Sequence, residues 1–292
     1  MSFFNSFTQK VKGAKKNQVP LVDYSQRVDI FEEHPSISNM LNWTYTDFSG
    51  PYCIVHCADE GMFTVLKFRG PDMDSSTPDE MVRHIANINN VIKKFETGYV
   101  LYFDAQRIKT TDYQMADMPT ALTQRIEEER ASYYQGNTHF ENEFYFVIYH
   151  EPPVEIREKL TSFFIEESTD RAEGKEAEAA NKLKLYHKVM DEFVSNCQLL
   201  EGMLNRVFKE LKPLDEMETV SYLHNIVSDH HFMVKPDPTQ PLKEYVTDCG
   251  LLTGRKPKLG KKYMRIITIK TFPSISTPGV FNCFNYLNFE YR

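Results

Sequence analysis

One stretch fixes a strand end and a helix start within ten residues: Arg69-Gly70-Pro71-Asp72-Met73-Asp74-Ser75-Ser76-Thr77-Pro78. Gly70-Pro71 stops the apolar run before it, because proline cannot donate to a ladder and holds its own φ. Thr77 is an N-cap, Pro78 takes the first helical position, and Glu80 closes a capping box. Asp72 and Asp74 precede that helix start, where the positive end of the helix dipole favours them. Asp72, Asp74 and Asp79 with Ser75 and Ser76 carry enough oxygen for a hard cation, but the alternation, central glycine and terminal glutamate of a calcium loop are missing. The stretch is therefore read as a turn.

The flanking sequence sets the fold class. Residues 52–58 and 62–68 are apolar strands around Asp59-Glu60-Gly61, a hairpin signal. The helix after the turn places Met81, Ile85, Ile88, Ile92 and Phe95 on one stripe and is expected to end at Gly98. A strand follows at residues 99–105, then a helix over about residues 119–134 carrying Leu122 and Ile126. Residues 144–149 are apolar on both faces, as in an interior strand, and Pro152-Pro153 ends them. This order predicts an α+β fold, a largely antiparallel sheet covered by helices. Glu127, Glu128, Glu129 and Arg130 point in different directions around a helix, so they are read as a solvated charged face, not as an acid-base pair.

Residues 166–178 form a charged, glycine-broken junction. After it, Leu183, Tyr186, Met190, Phe193, Cys197, Leu200, Leu204, Val207 and Leu211 recur at spacings of three and four. That seam predicts one long helix from near residue 175 to residue 211. It is a candidate helix interface, either with another subunit or, the preferred reading, with the chain's own sheet. A shorter helix is expected at residues 219–227. His224, His230 and His231 match no zinc spacing. Gly250, Gly254 and Gly260 with Arg255, Lys256, Lys258, Lys261 and Lys262 invite comparison with a phosphate loop. Five residues separate Gly254 from Gly260, and Lys261 is followed by Lys262 where a hydroxyl is required, so no nucleotide site is predicted. Residues 265–271 read as a strand, Pro278-Gly279 as the start of a short helix with Val280, Phe281, Phe284 and Leu287, and residues 289–292 as the beginning of another strand.

At the other end, Phe3, Phe4, Phe7 and Val11 fall at helical spacing beside Lys10, Lys12, Lys15 and Lys16. Phe3, Phe4, Phe7, Lys10 and Lys12 form a candidate contact with an anionic membrane surface; the competing reading is a frayed terminus or a helix packed on its own domain. Residues 17–38 look like a connector. No stretch approaches the length needed to span a bilayer, and no cleavable leader is visible. With 41 acidic against 34 basic residues, a general nucleic-acid-binding face is not expected. Five scattered cysteines suit a reducing compartment, with Cys53 and Cys57 as small buried residues on one strand face. The expected organisation is an N-terminal segment and connector (residues 1–39), a first α+β subdomain (40–153) and a helix-rich second subdomain closed by a C-terminal strand and helix (154–292).

Several landmarks carry a resemblance in the same order: Leu41-Asn42-Trp43; the turn Arg69, Gly70, Pro71, Asp72, Asp74 and Ser75; the Glu127 to Arg130 cluster; the aromatic strand running into Pro152-Pro153; Phe272-Pro273; Pro278-Gly279; and Phe289-Glu290-Tyr291-Arg292. Together they resemble the N-terminal half of the CagE/TrbE/VirB-component family of type IV secretion ATPases, in its TrbE branch, over most of residues 41–292. The match is weakest at residues 165–245, and Thr277 stands where that branch has a tryptophan. In such proteins a C-terminal RecA-like motor binds ATP and magnesium and hydrolyses the nucleotide. The N-terminal part docks the motor on the cytoplasmic side of the inner-membrane complex and supports assembly. The resemblance thus implies a catalytically silent docking half without its motor domain and without a cofactor. Its implied partners are other type IV secretion components and further copies of itself, with peripheral contact to the cytoplasmic face of the bacterial inner membrane and no direct binding of nucleic acid. A free-standing soluble interaction module sharing the fold is the alternative. An independent enzyme would need a nucleophile, base and orienting group, and no such pattern is recognisable.

Overall fold

The computed structural model describes residues 37–71, 75–95, 97–110, 113–153, 156, 175–271, 284 and 286–292, with the backbone alone at 175–183. The candidate membrane contact at Phe3, Phe4, Phe7, Lys10 and Lys12, the turn residues Asp72 and Asp74, the side chain of Leu183 and the helix expected at Pro278 lie outside the described residues.

The fold is α+β, an antiparallel sheet covered by helices. After a single helical turn, α1 (Ile37–Met40), come β1 (Trp43–Ser49), β2 (Tyr52–Cys57) and β3 (Met62–Arg69). Next are α2 (Pro78–Ile92), β4 (Tyr99–Thr110), α3 (Ala121–Gly136) and β5 (His139–His150). The strands pair in the order β1-β2-β3-β5-β4, every pair antiparallel. The β2–β3 hairpin turns through Glu60 at φ 63, and Gly61 passes so close to Tyr149 that a Cβ there would lie 2.3 Å from its hydroxyl. Any side chain at that crossing would have to displace the Tyr149 ring.

β2 is buried along its whole length because it is flanked by two strands and covered on both faces. Its alternate side chains divide between two cores. Tyr52 and Ile54 join Leu66, Phe146 and Ile148 beneath the long helix α4 (Lys175–Leu204) and Val91 of α2. Val55 and Cys57 join Val65, Tyr145 and Val147 beneath α5 (Glu216–Val227), with Leu242 of the short α6 (Leu242–Tyr245). Each large apolar side chain so buried contributes about 1.5–3 kcal/mol of transfer free energy. The sheet is thus the middle of three layers, and the second half of the chain supplies most of what covers it.

Several boundaries differ from the sequence reading. The long helix stops at Leu204, not Leu211: Val207 lies in the following turn and Leu211 in β6 (Glu210–Pro213), although both are buried. The three-and-four spacing marked which residues are buried, and after Leu204 a turn and a strand achieve that burial. β6 pairs with Leu66 to Arg69 of β3, on the same edge whose earlier residues pair with β2, so two short strands share one side of β3. α2 ends at Ile92 with Lys93 as its C-cap, and Gly98, at φ 97, belongs to the turn into β4. β4 and β5 are twelve residues each, longer than expected, and pair along their full length. β1 was not anticipated, because Thr44, Thr46, Asp47 and Ser49 dilute its apolar alternation. Residues 265–271 form no strand; the ladder ends earlier, in a small sheet of β7 (Leu251–Leu252), β8 (Lys258–Leu259) and β9 (Lys262–Tyr263).

Candidate functional site

The turn that carries the resemblance is anchored at its ends. Arg69 pairs with Glu210 across β3 and β6, and its carbonyl accepts the Lys209 N–H at 3.0 Å. At the far end Thr77 caps α2 as expected: the Glu80 N–H reaches Thr77 Oγ1 at 3.4 Å, and the Thr77 N–H reaches the Glu80 carboxylate at 2.8 Å. Pro71 is half-buried and Ser75 exposed. Gly70 has open space around a notional Cβ and no positive φ. Among the described residues no packing contact demands glycine there.

The candidate helix interface faces inward. Met190, Phe193, Leu200 and Leu204 lie in the core against the sheet, and Val207 is buried after the helix end. Tyr186 packs at the margin of that core, with its hydroxyl 3.2 Å from His56 Nε2 and 3.5 Å from Asp47. His56 is also stacked on Tyr45 at 4.5 Å, and burial pushes its pKa down to about 4. It is a neutral ring at physiological pH.

Glu127 corrects the reading of α3 as a uniformly solvated charged face. It is buried, and it accepts the Tyr113 hydroxyl at 2.7 Å; that bond holds its carboxyl below the usual range. Arg125 and Glu129 do lie on the exposed side, 3.9 Å apart. Glu127 thus ties the loop before α3 to the helix.

Several groups with catalytic or ligating potential are otherwise engaged. Burial raises the Cys53 and Cys57 thiols to about 12, which removes thiolate reactivity. His224 Nδ1 is 2.9 Å from the Val246 carbonyl, His230 Nδ1 is 2.6 Å from Asp229, and His231 Nε2 is 2.7 Å from Arg292. Among the described residues no group of three or more His, Cys, Asp or Glu side chains is arranged to hold a metal ion. In the basic glycine-rich segment, the Lys261 N–H that a phosphate cradle would offer to an anion is bonded to the Asp229 carboxylate at 2.8 Å.

Sequence reasoning missed a brace that joins the C-terminal residues to β4 and the end of α5. Arg107 on β4 is buried; its Nη1 donates to Asn142 at 2.9 Å, its Nε to the Leu287 carbonyl at 2.8 Å, and it lies over the Phe140 ring. Its backbone forms an antiparallel bridge with Tyr291. Glu290 meets Lys262 at 2.5 Å and the Lys109 N–H at 3.1 Å. Arg292 donates to the carbonyls of Asn225 and Ser228 at the C-terminus of α5, where a cation suits the negative end of the dipole. The terminal Phe-Glu-Tyr-Arg was visible in the sequence, but its partners, up to 181 residues away, left no local signal.

An antiparallel sheet clad on both faces by helices defines an α+β domain. Residues 53–157, from β2 to just past β5, match the profile of the Type IV secretion system ATPase VirB4/TrbE, N-terminal domain. The similarity to that N-terminal domain thus falls on strands β2 to β5 of the larger sheet. Among curated proteins, "Conjugal transfer protein TrbE" of Rhizobium radiobacter is 22% identical over 246 residues, covering 82% of this chain and 30% of that protein. A probable conjugal transfer protein TrbE of Sinorhizobium fredii (strain NBRC 101917 / NGR234), named as the first portion of that protein, is 33% identical over 89 residues, covering 29% of this chain and 60% of the relative. The matched stretches thus span less than two thirds of either relative.

Proposed function

We propose that this chain is the non-motor N-terminal part of a type IV secretion or conjugal transfer ATPase of the TrbE branch. It docks the motor on the inner-membrane secretion complex and supports assembly of the machine that exports DNA or protein. The observation that carries this reading is the coincidence of the VirB4/TrbE N-terminal match with the sheet from β2 to β5, alongside a 246-residue similarity to a conjugal transfer TrbE protein. The chain works at the cytoplasmic face of the bacterial inner membrane through contacts with other secretion components and with further copies of itself. ATP binding and hydrolysis, with magnesium, belong on this reading to a RecA-like motor outside these residues, and the chain itself is catalytically silent.

Two measurements test it. Deleting the gene in a conjugating donor should abolish plasmid transfer, with recovery on complementation; undiminished transfer would sink the reading. ATP turnover should be absent from this chain and present in the natural gene product if that reads on beyond Arg292. Turnover by this chain alone would place catalysis within it and overturn the division of labour.

A further inference from the structure

The basic segment that fails the phosphate-loop spacing carries a concentrated positive charge. From Cys249 to Phe289 the sequence contains no aspartate or glutamate, although acidic residues outnumber basic ones 41 to 34 in the whole chain. Seven cations fall within residues 255–270, and all but Lys258 are exposed. Glu290 answers Lys262. Among the described residues no carboxylate pairs with the side chains of Arg255, Lys256, Lys261 or Arg265. Such a local excess in an acidic chain marks a surface for an anionic partner.

The small sheet gives this charge a defined face. Leu252 stands opposite Lys258 and Lys258 opposite Tyr263, so the three side chains share one side of β7, β8 and β9. Lys258 Nζ lies 4.4 Å from the centre of the Tyr263 ring, and Leu252 and Tyr263 are both exposed. Just after β9, Ile266 and Ile267 are each 77% exposed. The sheet is fastened to the body by the Lys261 N–H on Asp229 and by Lys262 on Glu290. Accessible apolar and aromatic side chains thus stand among cations on an anchored hairpin. That mixture suits the boundary of an anionic bilayer: cations meet headgroup phosphates, branched side chains enter the acyl boundary, and tyrosine sits between. A nucleic-acid strand would need rings on which bases stack. Isoleucine and leucine offer no such plane, and Lys258 already covers one face of Tyr263.

We propose that the β7–β9 sheet and the residues that follow it, 252–267, form a contact with an anionic phospholipid surface. Arg255, Lys256, Lys261 and Arg265 supply the attraction to the headgroups, and Leu252, Tyr263, Ile266 and Ile267 supply the insertion. The inference deepens the functional reading above by naming the surface and the lipid class, and it rests on that reading for placing a membrane beside the chain. It assigns the contact to this hairpin and not to the phenylalanines near residue 1.

Co-sedimentation of the whole chain with vesicles tests it, using phosphatidylcholine alone and phosphatidylcholine mixed with phosphatidylglycerol. Binding is expected on the mixed vesicles only, and it should weaken as salt is raised. The double variant Arg255→Glu with Lys256→Glu should lower the affinity about tenfold or more, and Ile266→Ser with Ile267→Ser about tenfold, with far-UV circular dichroism unchanged in both. No binding to the mixed vesicles overturns the proposal, as does equal binding to the neutral ones. So does full binding by both double variants, above all if replacing Phe3, Phe4 and Phe7 with Ser abolishes it. A DNA oligonucleotide that binds through the same cations while vesicles stay unbound would assign the patch to nucleic acid instead. None of these results bears on plasmid transfer or ATP turnover, so failure here is separable from failure of the functional reading.

Discussion

The carboxylate of Asp229 accepts the backbone N–H of Lys261 at 2.8 Å, and it is Gly260 that lets the two approach. Gly260 sits at φ 55, and a Cβ built on it would lie 2.5 Å from the Asp229 Cγ. Gly260→Ala therefore meets both a left-handed backbone and a buried carboxylate. A loss of about 1–3 kcal/mol is expected, read as a lower melting temperature with little change in helix content. An unchanged melting temperature would mean that the β8–β9 turn does not depend on this contact.

Arg292 is expected to matter more than an exposed cation does. It donates to the Asn225 and Ser228 carbonyls at the end of α5 and lies against His231, so one side chain fastens the C-terminal segment to the helix that covers the second core. Arg292→Ala should cost about 1–3 kcal/mol. It should also speed hydrogen exchange at the Arg107 amide, whose acceptor is the Tyr291 carbonyl. Arg292→Lys should recover only part of the loss, because an ammonium lacks the planar fork. Exchange at Arg107 that stays slow in the alanine variant would sever the link between the side chain and the bridge.

Acid should weaken the protein through His56. Burial lowers its folded pKa to about 4, against about 6.5 for an unfolded histidine, with Asp47 pulling weakly the other way. Between those values the unfolded chain binds more protons than the native one, so stability rises with pH across that window. The contribution is complete above about 6.5 and is lost as pH falls towards 4, reaching about 3 kcal/mol. A pH series of denaturant midpoints measures it, and His56→Gln should flatten the acid limb. An equally steep limb in that variant would assign the acid sensitivity to other groups.

What the sequence made legible was local or periodic. The Thr77-Pro78-Glu80 cap and the Asp59-Glu60-Gly61 hairpin are specified by neighbours in the chain, and both stand where those neighbours place them. The strand at β2 followed from its apolar run. What escaped depended on distant partners. Leu211 has the same character whether it continues a helix or joins β6, and only Phe68 opposite it decides. The charged run at Glu127 gave no sign that Tyr113 would bury one member. Residues 265–271 have strand composition, yet composition cannot supply an edge to pair with. The turn from Arg69 to Ser75 shows a different limit: its resemblance was readable, but among the described residues no contact around Gly70 gives a packing reason for it.

The seam on α4 separates a core from an interface, and Phe193 decides between them. It is fully buried, with its ring 6.5 Å from Tyr99 and 6.1 Å from His150, whereas Leu199 on the same helix is exposed. Phe193→Ala removes a core ring, so a loss of about 3–5 kcal/mol is expected at every protein concentration. Leu199→Ser should stay within about 0.5 kcal/mol. Were the seam instead a contact between subunits, Phe193→Ala would shift association while sparing the monomer. Chemical denaturation at two protein concentrations distinguishes these outcomes, because a core loss lowers the midpoint equally at both, whereas a lost subunit contact abolishes its dependence on concentration.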